Sequence, residues 1–337
     1  TVCTRHLCAY QFMEFGERIT TAEGVNSQAE VADLLICMFA RAVTSARHEI
    51  IVDPYPSVCA DRLSKELSFD PKQKDFKKLR EVVAGLTKLR DENASKVGAA
   101  WTSLNGQMTK EGQALVQWII ASNRSYLAPL QWDQAIQAFG TPFQYLLISA
   151  PPDREKQFQA LKVQHGSVFA YHGSGTENWH SILRNGLKNC SNTKYMTTGA
   201  AFGAGIYLAI NSGISLGYSM RNRMARLPGG ITFDAASHPK RPRQHTQRSN
   251  QQNVGNRCLE GMETICMLAV CEVIAHPSLQ KHRNGEIWVM PHEEMVMTRF
   301  FIVFTESNVA SNICITGLEQ QIRDCMNKLH VGCPGGS

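Results

Sequence analysis

Apolar residues in the first 140 positions recur at helical spacing. Between residues 28 and 47, Val31, Leu34, Leu35, Met38, Phe39 and Ala42 fall every three or four positions, which predicts an amphipathic helix with one buried stripe. Residues 50–52 form a short apolar run that meets Asp53-Pro54-Tyr55-Pro56, a turn or strand end. Pro71 can open a helix, and Phe76, Leu79, Val82, Val83, Leu86 and Leu89 carry the period onward beside a lysine-rich face. Thr109, with Glu111 following, is an N-cap candidate for a helix through Leu115, Trp118 and Ile119. Residues 132–139 are a candidate for one more.

Near Gln144 the texture changes. Residues 144–149 read as a strand ended by two prolines, 152–164 as a short helix, and 167–171 as a strand that runs into His172-Gly173-Ser174-Gly175. Residues 178–185 read as a short helix stopped by Gly186. Later β-rich runs cover 264–275, 286–290 and 295–304. The expectation is an α+β chain, with a helix-rich region over 1–145 and a β-rich, turn-rich domain over 146–337. A length of 337 residues suits two domains at roughly 100–200 residues each.

Composition changes this picture little. Apolar residues make up 43% and charged ones 19%, ordinary for a globular chain and wrong for a disordered one. The longest uncharged apolar run, 34–40, falls far short of the ~20 residues a membrane-spanning helix needs, so no span is expected. Charge is more informative. The formal excess of +6 lies between Arg221 and Arg257, where eight basic residues meet one acid, Asp234. The remainder carries 27 basic and 28 acidic groups, which argues against a basic nucleic-acid-binding body. Residues 221–261, rich in Arg, Asn, Gln, Pro and Gly, read as a long mobile loop.

Eleven scattered cysteines, several inside apolar periodic segments, fit reduced thiols of an intracellular protein, cytoplasmic first and nuclear second. No CxxC occurs, and Cys3, His6 and Cys8 have poor ligand spacing, so no metal is expected. A chain that opens on Thr1 rather than methionine is expected to be a fragment.

Three short pieces carry candidate chemistry. His172-Gly173-Ser174 puts an imidazole and a hydroxyl at a strand end, beside a glycine whose peptide a ligand can approach closely. Phe202-Gly203-Ala204-Gly205-Ile206-Tyr207 and Ser215-Leu216-Gly217-Tyr218 each supply a tyrosine, and the two rings could wall a slot for a flat ring. Ser215, one helical turn before Tyr218, would point the same way. Taken singly, His172 reads as a structural histidine, Tyr207 as a core aromatic and FGAG as a turn. Their combination and order change the reading.

In that order the pieces FAYHGSGTENWHSILRNGLKN, GAAFGAGIYLA and SLGYS resemble the catalytic domain of the poly(ADP-ribose) polymerase superfamily, the diphtheria-toxin-like ADP-ribosyltransferases. EVADLLICM, DPYPSV, LVQWIIASNRS, AVCEVI and IWVMP…TRFFIVF are similar to the branch of family members six and eight. The resemblance implies a mixed or antiparallel β catalytic domain and an NAD site. Gly173 would offer its backbone N–H and C=O to the nicotinamide amide, and Ser215 a third hydrogen bond. Tyr207 and Tyr218 would sandwich the nicotinamide ring, while His172 and Ser174 would bind the adenine-side ribose. No GxGxxG opens a helix after a strand, which disfavours hydride transfer.

In polymerising relatives a glutamate on a strand near the end of the domain activates the acceptor ribose. Aligning FFIVF places Phe300 there, and a slip of one gives Arg299 or Phe301. None is acidic, and Glu293 and Glu294 precede the position by several residues. The resemblance therefore implies transfer of single ADP-ribose units from NAD to protein acceptors, the enzyme itself among them. Two alternatives stand beside it: an inactive NAD or ADP-ribose binder, and a transferase acting on nucleic acid. The basic loop, directly after Tyr218, would attract an anionic dinucleotide or acidic acceptors, or would be a passive insert.

Overall fold

A computed structural model describes residues 22–61, 66–93, 105–123, 125–149, 152–191, 193–194, 196, 201–219, 265–305 and 312–328. The basic segment 221–261 and the Cys3–Cys8 stretch lie outside the described residues. Helices come first: α1 (Ala22–Thr44), the single turn α2 (His48–Ile51), α3 (Phe76–Asn93) and α4 (Lys110–Ala121). Strands β1 (Ser125–Pro129) and β2 (Gln144–Ser149) follow, then α5 (Pro152–His165), β3 (Ser167–Gly173) and α6 (Trp179–Asn185). The remainder comprises β4 (Ile206–Ala209), α7 (Ser212–Ser219), β5 (Cys266–Ile274), β6 (Gln280–His282), β7 (Ile287–Met290), β8 (Val296–Phe304) and α8 (Glu319–Lys328).

Among the described residues eight strands form one antiparallel sheet in the order β1-β2-β8-β5-β3-β4-β7-β6. This is the α+β architecture expected. The sheet already begins at β1, ahead of the boundary expected near 140–150, because the stretch after Asn123 pairs with β2 from Ser125↔Ser149 to Pro129↔Tyr145. Period-2 patterning is weak in SYLAP, so this edge strand escapes a reading of alternation alone.

Helix α1 is enclosed rather than merely amphipathic. From Ala32 to Ala40 every residue is buried, because α3, α4, α6, β1 and the turn Thr176–Asn178 all pack on it. Its buried acids are paired: Arg90 reaches both Asp33 oxygens at 2.7 and 3.0 Å, and the Tyr145 hydroxyl donates to Glu30 at 2.8 Å. Such burial is tolerable only with these partners. Helix α4 begins as expected, with the Thr109 hydroxyl accepting from Gly112 N–H at 3.1 Å. Helix α3 starts after Pro71, not at it. Asp75 caps it by accepting from Lys78 N–H at 2.9 Å, and residues 71–73 are a turn.

Residues 132–139 do not form a full helix, only a turn and the 3-10 segment Gln137–Phe139. The buried Gln144 side chain accepts from Ile136 N–H and donates to Ile136 O, so it takes the backbone groups a helix would use. No described helix is long and apolar enough to cross a membrane.

Candidate active site

The sheet splits between β3 and β4. Strand β3 stays paired with β5 from Ser167↔Ile274 to Gly173↔Leu268, but meets β4 only at Tyr171↔Ala209. A cleft of about 650 Å³ opens there, lined by His172, Gly173, Ser174, Tyr207, Ser215 and Tyr218 among others. All six residues read from the sequence as NAD ligands thus meet on one wall system.

Backbone geometry makes the cleft receptive. Ser215, buried on α7, donates its hydroxyl to Tyr171 O at 3.1 Å, so that carbonyl faces α7 and not β5. Peptide groups alternate along a strand, so the N–H and C=O of Gly173, two residues on, face the same open edge. Gly173 must be glycine: a Cβ there would lie 1.7 Å from the Ser215 carbonyl oxygen. Gly205 is equally constrained, since its Cβ would come within 2.8 Å of Met290 O. Close approach of backbone to backbone, rather than turn formation, is what these two glycines permit.

The Tyr207 ring is held by its own hydroxyl, which donates to Gly203 O and accepts from Phe202 N–H, both at 2.9 Å. Gly203 can present that carbonyl because it sits at φ 97°, a left-handed conformation that favours glycine. Tyr218 is 40% exposed on α7, a large aromatic left facing the cleft and solvent. His172 bridges the split, with Nδ1 2.9 Å from Tyr207 O. A carbonyl only accepts, so Nδ1 carries the proton and Nε2 is an acceptor. Burial lowers the His172 pKa against the opposing pull of that carbonyl, which keeps the ring neutral near pH 7.

Two further residues shape this wall. Asn178 Nδ2 donates to Ser174 Oγ at 2.9 Å, and Trp179 Nε1 donates to Ser174 O at 3.1 Å. Trp179 also stands edge-on to His172, with centroids 6.0 Å apart. Sequence reading missed both roles, although both residues lie inside the motif. Arg47 and Asp53 also line the cleft, from the helical region. No local motif marks them, since contacts so distant in sequence leave no periodic trace.

Phe300 does not reach the cleft. It is fully buried on β8, in register with Leu146 of β2 and Val270 of β5. Arg299 is the extra residue of a bulge, because β5 pairs Val270 with Phe300 and Cys271 with Thr298. Its guanidinium donates to Glu272 at 2.8 Å and to Glu155 at 2.8 and 2.9 Å, a buried ionic network. Burial alone would raise the Glu272 pKa, but Arg299, Lys162 and Ser167 outweigh it and hold the carboxyl ionised. Phe301 packs edge-on against Trp179 at 4.6 Å. Glu293 accepts from Asn189 N–H at 2.8 Å. Among the described residues, the carboxylates that line the cleft are Asp53 and Glu177, neither of them from β8. Among the described residues no group of three or more His, Cys, Asp or Glu is placed to hold a metal ion.

Comparison with known proteins agrees with this geometry. Residues 149–227 match the poly(ADP-ribose) polymerase catalytic domain, and residues 24–120 match the ARTD15 N-terminal domain. The chain is 38% identical over 312 residues to protein mono-ADP-ribosyltransferase PARP8 of Mus musculus, and to the same extent to that of Homo sapiens, covering 92% of this chain. It spans only 35% of the length of those two relatives. Protein mono-ADP-ribosyltransferase PARP16 of Mus musculus is 25% identical over 328 residues, covering 87% of this chain and 85% of the relative. The six motif residues of the cleft in the split antiparallel sheet thus fall within residues 149–227, the stretch of the chain that matches the poly(ADP-ribose) polymerase catalytic domain.

Proposed function

We propose that the chain is an NAD-dependent protein mono-ADP-ribosyltransferase unit, which moves one ADP-ribose from NAD to a protein side chain and releases nicotinamide. The observation that carries this reading is the open edge of Gly173, faced by the Ser215 carbonyl on one side and flanked by two tyrosines. A carboxamide fits such an edge: its N–H donates to Gly173 O and its C=O accepts from Gly173 N–H. Ser215, whose hydroxyl hydrogen is directed at Tyr171 O, adds an acceptor for the second amide N–H. The Tyr207 ring is already fixed, so stacking a flat ring on it costs little further ordering. Neutral His172 offers Nε2 to a ribose hydroxyl, and Ser174 Oγ, oriented by Asn178, takes a second.

Breaking the bond from ribose C1 to nicotinamide builds positive charge at C1, as in glycoside hydrolysis. Residues that hold the leaving group rigidly and exclude water favour that step. A β8 whose Phe300 lies in the core supplies no carboxylate to activate an acceptor ribose, which supports single transfers over chain growth. The same observation favours a second reading, a binder without turnover. The reduced-thiol pattern of the cysteines supports an intracellular setting, with proteins, including the enzyme itself, as acceptors.

Incubation with labelled NAD tests the proposal. Protein carrying single ADP-ribose units and free nicotinamide in equal amounts is the expected result. Polymer ladders would overturn the single-transfer reading, and binding without nicotinamide release would select the inactive binder. His172→Ala or Tyr207→Ala should abolish labelling while the unfolding transition survives.

A further inference from the structure

Arg47 belongs to the helical region, in the link between α1 and α2, yet lines the cleft. Its backbone is anchored: Arg47 N–H donates to Ser45 Oγ at 3.2 Å, and its carbonyl accepts from Ile50 and Ile51 N–H at 2.9 and 3.1 Å. The half-buried side chain therefore projects from a fixed base, and Nη1 donates to Asn178 Oδ1 at 3.4 Å. Asn178 in turn donates to Ser174 Oγ. Arg47 thus stands at the ribose end of the cleft, one residue beyond the group that orients Ser174. Among the described lining residues the other Lys or Arg is Lys188, just after α6. Cys190 lies on the same wall, where burial and Glu293 push its thiol pKa up and the charges of Lys188 and Arg47 pull against them.

Among the described lining residues two acids, Asp53 and Glu177, offset the two cations, so a dinucleotide dianion needs a localised partner there. A guanidinium beside the ribose-orienting amide is placed to be that partner, since its planar fork matches phosphate oxygens. Resting on the NAD reading above, we infer that the helical region contributes a substrate-binding residue: Arg47 holds the diphosphate bridge of the dinucleotide. Catalysis then depends on the helical region directly, because the cleft is incomplete without it.

The test compares three probes by calorimetry: ADP-ribose, adenosine, and benzamide as a nicotinamide mimic. Arg47→Gln should weaken ADP-ribose about tenfold or more and leave adenosine and benzamide within about twofold, since neither carries phosphate. Arg47→Lys should fall between, keeping charge but losing the fork. In the unaltered chain, ADP-ribose affinity should drop with added salt and adenosine affinity should not. Unchanged ADP-ribose affinity in Arg47→Gln, or salt-independent ADP-ribose binding, would overturn the inference. Equal losses for adenosine and ADP-ribose would also overturn it, because Arg47 would then act only through Asn178 and Ser174. If the unaltered chain binds benzamide but not ADP-ribose, the inference fails while a nicotinamide site stands. If it binds neither, the NAD reading itself fails.

Discussion

The two junctions made by the centre of the sheet behave oppositely. Strands β5 and β8 are paired from Cys266↔Phe304 to Val273↔Val296, interrupted by one bulge, and their side chains are almost all buried. Strands β3 and β4 are paired at one position, and the gap beyond it is lined by His172, Gly173 and Ser174. A continuous ladder consumes its own peptide groups, whereas an interrupted one leaves them for a ligand. The candidate site sits at the interruption, and Phe300, the position that the resemblance aligns with a glutamate, sits in the continuous ladder.

That contrast is sharpest at Phe300. Phe300→Ala should cost about 3–5 kcal/mol of stability through the cavity it leaves. Phe300→Glu should cost more, as a carboxyl would enter the company of Leu146, Val270 and Ile302 without a partner. Chemical denaturation would read both. Polymer synthesis by a folded Phe300→Glu protein would show instead that β8 can turn this position toward the cleft. The open side predicts the converse pattern. Gly173→Ala collides with the Ser215 carbonyl, so α7 must shift and carry Ser215 and Tyr218 with it. A displacement of ~1 Å in such a site can cost about a hundredfold in rate. NAD turnover should fall at least that far, with a smaller loss of stability than at Phe300.

The difference between the two junctions also explains what could be read beforehand. His172, Gly173, Ser174, Tyr207, Ser215 and Tyr218 lie in short pieces whose order is itself the signal, and the fold brings all six together. The helices α1, α3 and α4 were legible from period alone, as was the apolar run of β5. Phe300 is different. Alignment fixes a position in a strand but not which way its side chain faces, and the bulge at Arg299 changes that facing locally. Arg47 was invisible for another reason: at the end of a helical stripe it reads as an ordinary solvated cation, and only tertiary packing sets it beside Asn178.

A milder change would probe the open side without displacing backbone. Tyr207→Phe removes the hydroxyl that joins Phe202 N–H to Gly203 O. Each such bond is worth about 0.5–1.5 kcal/mol net. The ring should remain in the slot but lose its fixed tilt, so KM for NAD should rise a few-fold while kcat changes less. A steady-state comparison would check this. A drop in kcat as large as that of Tyr207→Ala would mean that the hydroxyl takes part in the chemistry.

The smallest effect separates two histidines on α6 and β3. His172 spans the open junction with a carbonyl partner, whereas neither ring nitrogen of buried His180 has a hydrogen-bond partner among the described residues. His180 packs instead against Phe39 and Trp118 of the helical region. Burial lowers both pKa values, and Arg184 lowers that of His180 further. In the unfolded chain both should titrate near the ordinary value of about 6.5. Above that pH they are neutral in either state and their contribution to stability is fully present. As the pH falls below it, the unfolded chain takes up protons first, and stability drops until the lowered folded values are reached. Each histidine can add up to about 1.4 kcal/mol per pH unit to that slope. Urea unfolding between about pH 7 and 5 should therefore show a steeper loss in the unaltered chain than in His180→Phe, which removes one of the two protons. Equal slopes would mean that His180 takes up its proton as easily in the folded interior as in water.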